Sequence, residues 1–422
     1  MSVRYRKLLL FSILLILILA AVPVSVKAGS IIGTKFMISQ DDAEEIYPAV
    51  AYNSERQEYL VVWWFFDLDN GNYNIRAQRL TKDGAMISDP YFITTGGNVV
   101  NRDPDITYNR VHDQYLVVWQ RSDPSGKSIC GRLLSGAGEL LGEGDIVIQA
   151  SAPNYDHREP KVAYAYTDDS YMVVWTQQEI SSPDIYTIKA QAVTHTGALG
   201  LLTLVSNSDS EYKGYPDIAY NRHMNRHLVV WEAYDTTLNV DVIIGQQIHG
   251  DGGTYLGEIN FPELSIYDCR NPTVAAIPTA PDMAKFVLAF EKSFDADSDI
   301  YGIYLDEDEC RPFAFFEFGH STRDDLYPAV AGNEVSQEYF LIWREEITVM
   351  TGIIKGVVLD SSASELGTNY EFLGLNTHNP VVTDGHLSDF LLIWHDSFYA
   401  ADDHYIFGQL FGNRGYLPLI SK

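Results

Sequence analysis

The chain repeats one pattern of apolar and polar positions seven times. Each repeat begins at a proline; five of the six spacings between these prolines are 56 residues and the last is 52. A period of this length indicates a repeat architecture, in which each unit needs its neighbours to bury its apolar faces. The opening prolines are Pro48, Pro104, Pro160, Pro216, Pro272, Pro328 and Pro380.

Each repeat contains four short segments with the character of β-strands. In the first repeat they read "PAVAYN" (48–53), "YLVVW" (59–63), "YNIRAQRL" (73–80) and "YFIT" (91–94). Polar or glycine-containing loops separate them, as expected for turns. Aromatic residues make up 13% of the chain, with 27 Tyr, and aromatic side chains favour strands. Each repeat therefore predicts four antiparallel strands.

The second segment of each repeat is apolar at nearly every position, whereas a strand with one wet face would alternate. A continuous apolar run predicts burial on both faces, so each sheet has to lie between two others. We therefore predict an all-β fold, a seven-bladed β-propeller with four antiparallel strands per blade. The alternative is an open, solenoid-like stack, which would leave two apolar end faces uncovered.

Two segments compete to close the predicted ring. Residues 36–39 resemble a fourth strand that precedes the first proline, and residues 418–421 resemble another at the far end of the chain. One arrangement has the N-terminal strand complete the last blade and fasten the ring.

The third segment carries Ala or Gly at one equivalent place in every repeat. A minimal side chain there permits close approach of a bulky group. We predict that the bulky group is the Trp that ends the second segment, which is Phe290 in the fifth repeat. The small residues are Ala77, Gly131, Ala190, Gly245, Gly302, Gly356 and Gly408.

Residues 1–28 have the pattern of a secretory signal peptide. Arg4, Arg6 and Lys7 precede an apolar run over residues 8–26, and small residues at Val26 and Ala28 predict cleavage after Ala28. The alternative is an uncleaved anchor, since the run is close to the length that spans a bilayer. The expected organisation is a signal peptide at 1–28 and one propeller at 29–422, secreted or held at the cell surface.

The charge of the chain limits its partners. Removing the four basic residues of 1–28 changes the formal net charge from −28 to −32. Such a body repels nucleic acid, so we expect no nucleic-acid partner. We also expect no membrane span after removal of the signal, and a monomer.

The repeat resembles that of a broad group of secreted prokaryotic proteins. Their units read P-x-V-A-Y-N, then Y-L-V-V-W, then I-x-G-Q-R, then an apolar strand after a glycine turn. The resemblance implies a seven-bladed propeller, and it implies no activity, because most members have no assigned function. The fifth and seventh repeats depart furthest, for example at "PVVTDG" (380–385), which lacks Ala-Tyr-Asn.

The loops between the second and third strands vary most among the repeats, and variable loops usually carry binding. Exposed aromatic side chains there suit stacking on a glycan or a protein. The alternative is that these loops pack on one another. The candidate ligand-binding residues are Phe66, Tyr73, Tyr234, Phe398 and Tyr399.

Two of the same loops are candidate calcium sites. Asp295, Asp297 and Asp299 alternate along one loop, and Asp67 and Asp69 do so along another. Hard cations prefer such oxygen clusters, although neither loop matches a complete calcium-binding motif. The alternative is a solvated acidic turn. No other cofactor is required, and the eleven His show no diagnostic metal-ligand spacing.

Together these features favour a secreted, non-catalytic binding or scaffold protein. Its ligand is expected to be a glycan or an extracellular protein at the face that carries the loops between strands two and three. One alternative is an extracellular hydrolase acting on polysaccharide. It should gather acidic and basic side chains from several blades at the channel mouth, with perturbed acids among them. Another alternative is a purely structural cell-surface protein without a pocket.

Overall fold

The computed structural model describes residues 29–412, apart from residues 40, 42, 68–70, 95–98, 183–184, 208–211, 262–266, 278–285, 295–296, 307–309, 319–321, 349–350, 362–368, 373, 375–376 and 398–403. The regular structure within this part of the chain is β-strand throughout. No helix long and apolar enough to cross a membrane occurs among these residues.

The strands form seven antiparallel sheets of four strands each, which confirms the predicted propeller. Blade 1 holds β2 (Glu45–Asn53), β3 (Glu58–Asp67), β4 (Asn72–Thr81) and β5 (Tyr91–Phe92). Blade 2 holds β6 (Val100–Asn109), β7 (Gln114–Asp123), β8 (Gly126–Ser135) and β9 (Ile146–Gln149). Blade 3 holds β10 (Tyr155–Ala165), β11 (Ser170–Glu179), β12 (Tyr186–Thr194) and β13 (Leu199–Leu204).

Blade 4 holds β14 (Lys213–Asn221), β15 (Arg226–Asp235), β16 (Val240–His249) and β17 (Thr254–Asn260). Blade 5 holds β18 (Cys269–Ala276), β19 (Phe286–Ser293), β20 (Ser298–Leu305) and β21 (Pro312–Phe318). Blade 6 holds β22 (Asp325–Asn333), β23 (Glu338–Thr348), β24 (Thr351–Asp360) and β25 (Tyr370–Phe372). Blade 7 holds β26 (Thr377–Asp384), β27 (Asp389–Ser397), β28 (His404–Gly412) and the first strand of the chain, β1 (Ser30–Met37).

The second strand of each blade is covered on both faces, as its apolar run predicts. In blade 1, Leu60, Val61 and Val62 each have 0% exposure. Leu60 and Val62 pack against blade 2 in one cluster that includes Val117. Val61 faces the other way and packs with Leu391 of blade 7. The side chains alternate between two cores because successive residues of a strand point to opposite faces.

The ring of blades is closed. Among the described residues, seven apolar clusters each join two neighbouring blades, and one of them joins blade 7 to blade 1. No blade therefore presents an uncovered end face, which excludes the open stack.

The N-terminal strand closes this ring. Strand β1 pairs with β28, with Ser30 opposite Gly412 and Met37 opposite Phe407. The contact continues past the strand, since the amide of Ile38 donates to the carbonyl of Ile406 at 2.7 Å. Residues 418–421, the competing candidate, lie outside the described part of the chain. The last blade thus contains both ends of the repeat region, which fastens blade 7 to blade 1.

The prediction that each Trp ring lies over the small residue of the third strand is wrong. Trp63 pairs with Arg76, so it points to the opposite face from its neighbour Ala77. The space above the glycines at this place is taken by side chains of the fourth and second strands; above Gly131 these are Ile148 and Leu116.

The Trp side chains of blades 1, 2, 3 and 6 instead hydrogen-bond to the start of the first strand. Trp63 Nε1 donates to Glu45 Oε1 at 3.0 Å, and Trp343 Nε1 donates to Asp325 Oδ1 at 2.7 Å. Asn101 and His157 accept the equivalent bonds from the Trp residues of blades 2 and 3. These bonds fix the first strand against the second within a blade.

Deleting residues 29–37 should lower the free energy of unfolding by at least about 3 kcal/mol, because the deletion removes the outer strand of blade 7 and its apolar contacts. Deleting residues 418–422 should leave it unchanged. Urea unfolding of both deletion variants measures the difference. The account of closure is contradicted if the C-terminal deletion is the destabilising one.

Candidate functional site

The residue that precedes each opening proline takes the same place in every blade but differs in chemistry. Function in a common fold resides in such variable positions, whereas repeated residues serve the architecture. We call these seven residues the mouth ring: Tyr47, Asp103, Glu159, Tyr215, Asn271, Tyr327 and Asn379.

A β-bulge places each residue of the mouth ring. All seven have left-handed backbone with φ between 46° and 55°, and the strand register shifts beside each one, as between Ile46 and Ala49. Left-handed backbone costs a non-glycine residue about 1–2 kcal/mol, yet none of the seven is glycine. Bulges re-aim side chains, so each blade turns one side chain away from the regular alternation of its first strand.

Three tyrosines of the mouth ring converge on the channel axis. Tyr47, Tyr215 and Tyr327 belong to blades 1, 4 and 6, and they are 42%, 49% and 40% exposed. Burial raises the pKa of Tyr215, and the charges of Glu159 and Glu232 raise it further, ahead of smaller contributions from Tyr47 and Tyr327. Tyr215 thus shares its surroundings with two carboxyl groups as well as with the other two tyrosines.

Hydrogen-bond acceptors lie between these aromatic rings. Asp103 and Glu159 stand between Tyr47 and Tyr215, and one Asn stands in each of the two remaining gaps of the mouth ring. Burial raises the pKa of Asp103 to about 6, with a contribution from the charge on Glu159. The ring thus alternates aromatic faces with carboxylate and amide oxygens.

Two buried carboxylates, Glu232 of blade 4 and Glu291 of blade 5, flank Asn271. The amide N–H of Asn271 donates to Glu232 Oε2 at 3.2 Å, and its side-chain Nδ2 donates to Glu291 Oε1 at 2.9 Å. The amide of Tyr327 also donates to Glu291 Oε1 at 2.6 Å. Burial raises the pKa of each carboxyl to about 7, and repulsion between the two charges adds to the rise at Glu232.

A charged trio lies one layer deeper in the channel, each member directly after an opening proline. Lys161 of blade 3 stands between Asp105 of blade 2 and Asp217 of blade 4. Burial alone would lower the pKa of Lys161, but the two aspartates raise it on balance. Burial raises the pKa of Asp105 to about 6 although Lys161 opposes this shift. Acidic and basic groups from several blades therefore gather at the channel mouth.

Two of the predicted ligand-binding residues, Tyr73 and Phe66, connect to the mouth ring through a series of aromatic contacts. Tyr47 stacks on Trp64 at 5.5 Å between ring centroids, Trp64 contacts Tyr73 at 4.6 Å, and Tyr73 contacts Phe66 at 4.7 Å. Arg102 lies over the Trp64 ring at 4.8 Å. The loop between strands two and three of blade 1 thus packs its aromatics toward the channel.

The other predicted residues are not brought to this place by the described structure. Tyr234 donates a hydrogen bond to Asn239 Oδ1 within its own turn at 2.8 Å. Asp297 lies in a loop, and Asp299 is buried in β20. The calcium hypothesis stays a prediction. Phe398, Tyr399, Asp69, Asp295 and the side chain of Asp67 lie outside the described part of the chain.

The far end of the channel holds a cavity of about 670 Å³. Its lining includes a tyrosine at the same repeat position in four successive blades. Hydroxyls of these tyrosines bond to other side chains of the protein: Tyr108 donates to Asp113 at 3.1 Å, and Tyr164 donates to Asp169 at 2.8 Å. We take the mouth ring as the candidate site because its residues differ from blade to blade. The lining tyrosines are Tyr52, Tyr108, Tyr164 and Tyr220.

Comparisons with known proteins extend the assignment of fold. No protein-family model and no curated protein matches the chain. A solved structure of a protein of unknown function from Dyadobacter fermentans is similar, with a TM-score of 0.53 and 8% identity over 92% of this chain and 100% of that one. A puromycin hydrolase has a TM-score of 0.51 and 9% identity over 87% of this chain and 54% of its own.

An α-L-arabinofuranosidase from Fusarium graminearum gives a TM-score of 0.49 and 10% identity over 92% of this chain and 98% of that chain. The two structures with TM-scores above 0.5 are similar to this chain in fold, and their identities of 8% and 9% leave the activity open. The class that the fold defines is the seven-bladed β-propeller.

Sequence reasoning missed the mouth ring because the predicted first strand begins at the proline, so the residue before each proline falls in the preceding loop. The alignment of the repeats did contain a signal. The position before the fixed proline holds Tyr, Asp, Glu or Asn in different repeats, and these positions are 56 residues apart in most repeats.

Replacing Glu232 or Glu291 with Gln should flatten the pH dependence of stability. Between about pH 4.5 and about pH 7 the unfolded carboxyl loses its proton before the folded one does. The free energy of unfolding of the wild type therefore falls with rising pH across that window. Urea unfolding at the two limits measures the slope.

The control is Asp113→Asn. Burial would raise the pKa of Asp113, but hydrogen bonds led by that from Arg56 lower it overall. Its stabilising contribution is lost only as the pH falls below about 3.8, so this variant should be less stable by a constant amount across the window. Equal slopes for the Gln variants and the wild type would contradict the raised pKa values.

Proposed function

We propose that the protein binds a carbohydrate at the mouth ring. The observation that carries the proposal is the alternation of three exposed tyrosines with carboxylate and amide oxygens around one channel opening. Tyrosine faces stack on the C–H faces of sugars, and the oxygens between them accept hydrogen bonds from sugar hydroxyls. This is the face that the sequence favoured for a ligand.

The charge around the mouth ring restricts which carbohydrates can bind there. Asp103, Glu159, Glu232 and Glu291 surround the tyrosines, and the formal net charge of the chain is −28. Carboxyl groups outnumber the basic groups Lys161 and Arg102 around this opening, and an excess of one charge repels ligands of that sign. The proposed ligand is therefore a neutral or basic saccharide.

Residues 1–28 resemble a signal peptide, and this resemblance bears on where the saccharide would be bound. Its basic start and apolar run are typical of export. We propose that the ligand is met outside the cytoplasm, at the cell surface or beyond it.

Tyr215→Gly should weaken saccharide binding by up to about tenfold, because one stacked ring contributes up to about 1.5 kcal/mol. The thermal unfolding temperature should stay unchanged or rise, since glycine adopts the φ of 49° at this position at lower cost. A glycan array identifies the saccharide, and titration calorimetry measures the affinity of wild type and variant.

The matched control is Tyr166→Ala. Tyr166 is 39% exposed but lies in the turn at the other end of the channel, so its loss should leave saccharide binding intact. Absence of any bound saccharide, or equal affinity of the Tyr215→Gly variant and the wild type, defeats the proposal.

A second candidate function, hydrolysis of a polysaccharide, is favoured by the two carboxyls that flank Asn271. A carboxyl whose pKa is raised to about 7 remains partly protonated at neutral pH and suits a general acid. A second carboxylate nearby is the arrangement that glycoside hydrolysis requires.

Release of reducing ends from neutral polysaccharides separates the two functions. A hydrolase should lose activity by about 100-fold or more in the Glu291→Gln variant and keep it in Glu258→Gln, a change in β17 away from the mouth. A wild-type protein that binds a saccharide and releases no reducing ends is a binding protein.

A further inference from the structure

Three potential metal ligands meet on the rim opposite the mouth ring, where turns of blades 2 and 3 adjoin. His112 lies in the β6–β7 turn, Asp169 in the β10–β11 turn and His195 in the β12–β13 turn. His112 Nε2 is 2.7 Å from Asp169 Oδ2, and His195 Nδ1 is 3.2 Å from the same oxygen. The three ligand atoms all lie within 4.8 Å of one another.

We propose that His112, Asp169 and His195 bind a divalent transition-metal ion such as Zn²⁺ and thereby link blade 2 to blade 3. Two imidazole nitrogens and one carboxylate oxygen are ligands that Zn²⁺ accepts, whereas Ca²⁺ prefers oxygen alone. The side chains are 32%, 33% and 37% exposed for His112, Asp169 and His195. Water therefore reaches the fourth coordination position.

The observed distances are near those of an occupied site. Ligand atoms around a tetrahedral Zn²⁺ with bonds of about 2.0–2.2 Å are about 3.3 Å apart. The 3.2 Å separation between His195 and Asp169 already fits, and the 2.7 Å separation between His112 and Asp169 has to widen by a few tenths of an ångström. The two imidazole rings, stacked at 3.9 Å between centroids, have to turn apart slightly.

The carboxylate is held in place by groups that do not bind the ion. Asp169 Oδ1 accepts hydrogen bonds from the Tyr164 hydroxyl at 2.8 Å and from Asn109 Nδ2 at 3.3 Å. Asn109 also accepts the backbone amide of His112 at 3.1 Å. Such outer partners orient ligands and raise metal affinity. Their positions on short turns between rigid strands pre-organise the site.

The interface between blades 1 and 2 carries other side chains at the positions that are equivalent to the two histidines. There Arg56 donates to Asp113 Oδ2 at 2.7 and 2.9 Å, in the places that His112 and Asp169 take one repeat later. Gly136 occupies the position in the β8–β9 turn that His195 occupies in the β12–β13 turn, because the same backbone hydrogen bond closes both turns.

A guanidinium thus balances the charge of Asp113 at the first interface. At the second interface the ion-pair partners of Asp169, among the described residues, are two imidazoles. Imidazole is not a permanent cation. A divalent ion would supply the positive charge that Arg56 supplies at the first interface, and the acidic surface of the protein favours its approach.

The test is Zn²⁺ binding to the purified chain, measured by calorimetry and by metal content after dialysis, with Co²⁺ absorption as a probe of coordination. The wild type should bind one ion at this site and unfold at a higher temperature with Zn²⁺ than without it. Two variants each remove one proposed metal ligand and introduce the residue that stands at the equivalent position of another blade. His112→Arg recreates the Arg56–Asp113 pair, and His195→Gly recreates the turn at Gly136.

Each variant should fold, lose at least about tenfold in Zn²⁺ affinity and lose the Zn²⁺-dependent shift in unfolding temperature. His249→Ala changes an exposed histidine at the end of β16, beside the corresponding turn of blade 4, and should behave as the wild type. A wild type that binds no Zn²⁺, or variants that bind it with unchanged stoichiometry and affinity, would overturn the proposal.

Discussion

The burial of one strand on both faces is the constraint on which the rest of the structure depends. Residues such as Leu60, Val61 and Val62 are wholly buried, and a single sheet cannot cover both of its own faces. Each blade therefore requires a blade on either side, and the end blades must cover each other. The cluster between blades 7 and 1 and the pairing of β1 with β28 satisfy that requirement.

Because the blades pack in the same way throughout, the channel wall is free to vary. At the end of the first strand four of the seven repeats share an Asn. In blade 1, Asn53 donates to Asp113 of the next blade at 2.9 Å and accepts the Arg56 amide of its own turn at 2.9 Å. At the start of the same strand, the bulge gives each blade one side chain whose chemistry is not prescribed by packing. The proposed saccharide site uses that freedom at the mouth, and the proposed metal site uses variation among the turns of the opposite rim.

The sequence predicted what local pattern and repetition determine. The strands of each repeat, the blade count and the buried second strand follow from apolar runs and evenly spaced prolines. The position of the Trp rings did not follow, because the face to which Trp63 points depends on its register with Arg76. The mouth ring was missed for a similar reason: a bulge is a property of strand pairing, and no local pattern distinguishes Tyr47 from an ordinary loop residue before the strand.

The cluster of His112, Asp169 and His195 was also beyond the sequence. Its members come from three turns of two blades, and their proximity depends on how neighbouring blades are rotated about the channel. Phe66 and Tyr73 were identified from loop variability, and the structure connects them to the mouth only through Trp64.

Amide hydrogen exchange tests the closed ring most directly. If every second strand lies between two blades, the amides of β3 in blade 1 and β27 in blade 7 should be protected as strongly as those of β11 and β15 in the middle of the chain. Rapid exchange confined to β3 and β27, with slow exchange in the central blades, would show that the two end faces are open and would contradict the ring.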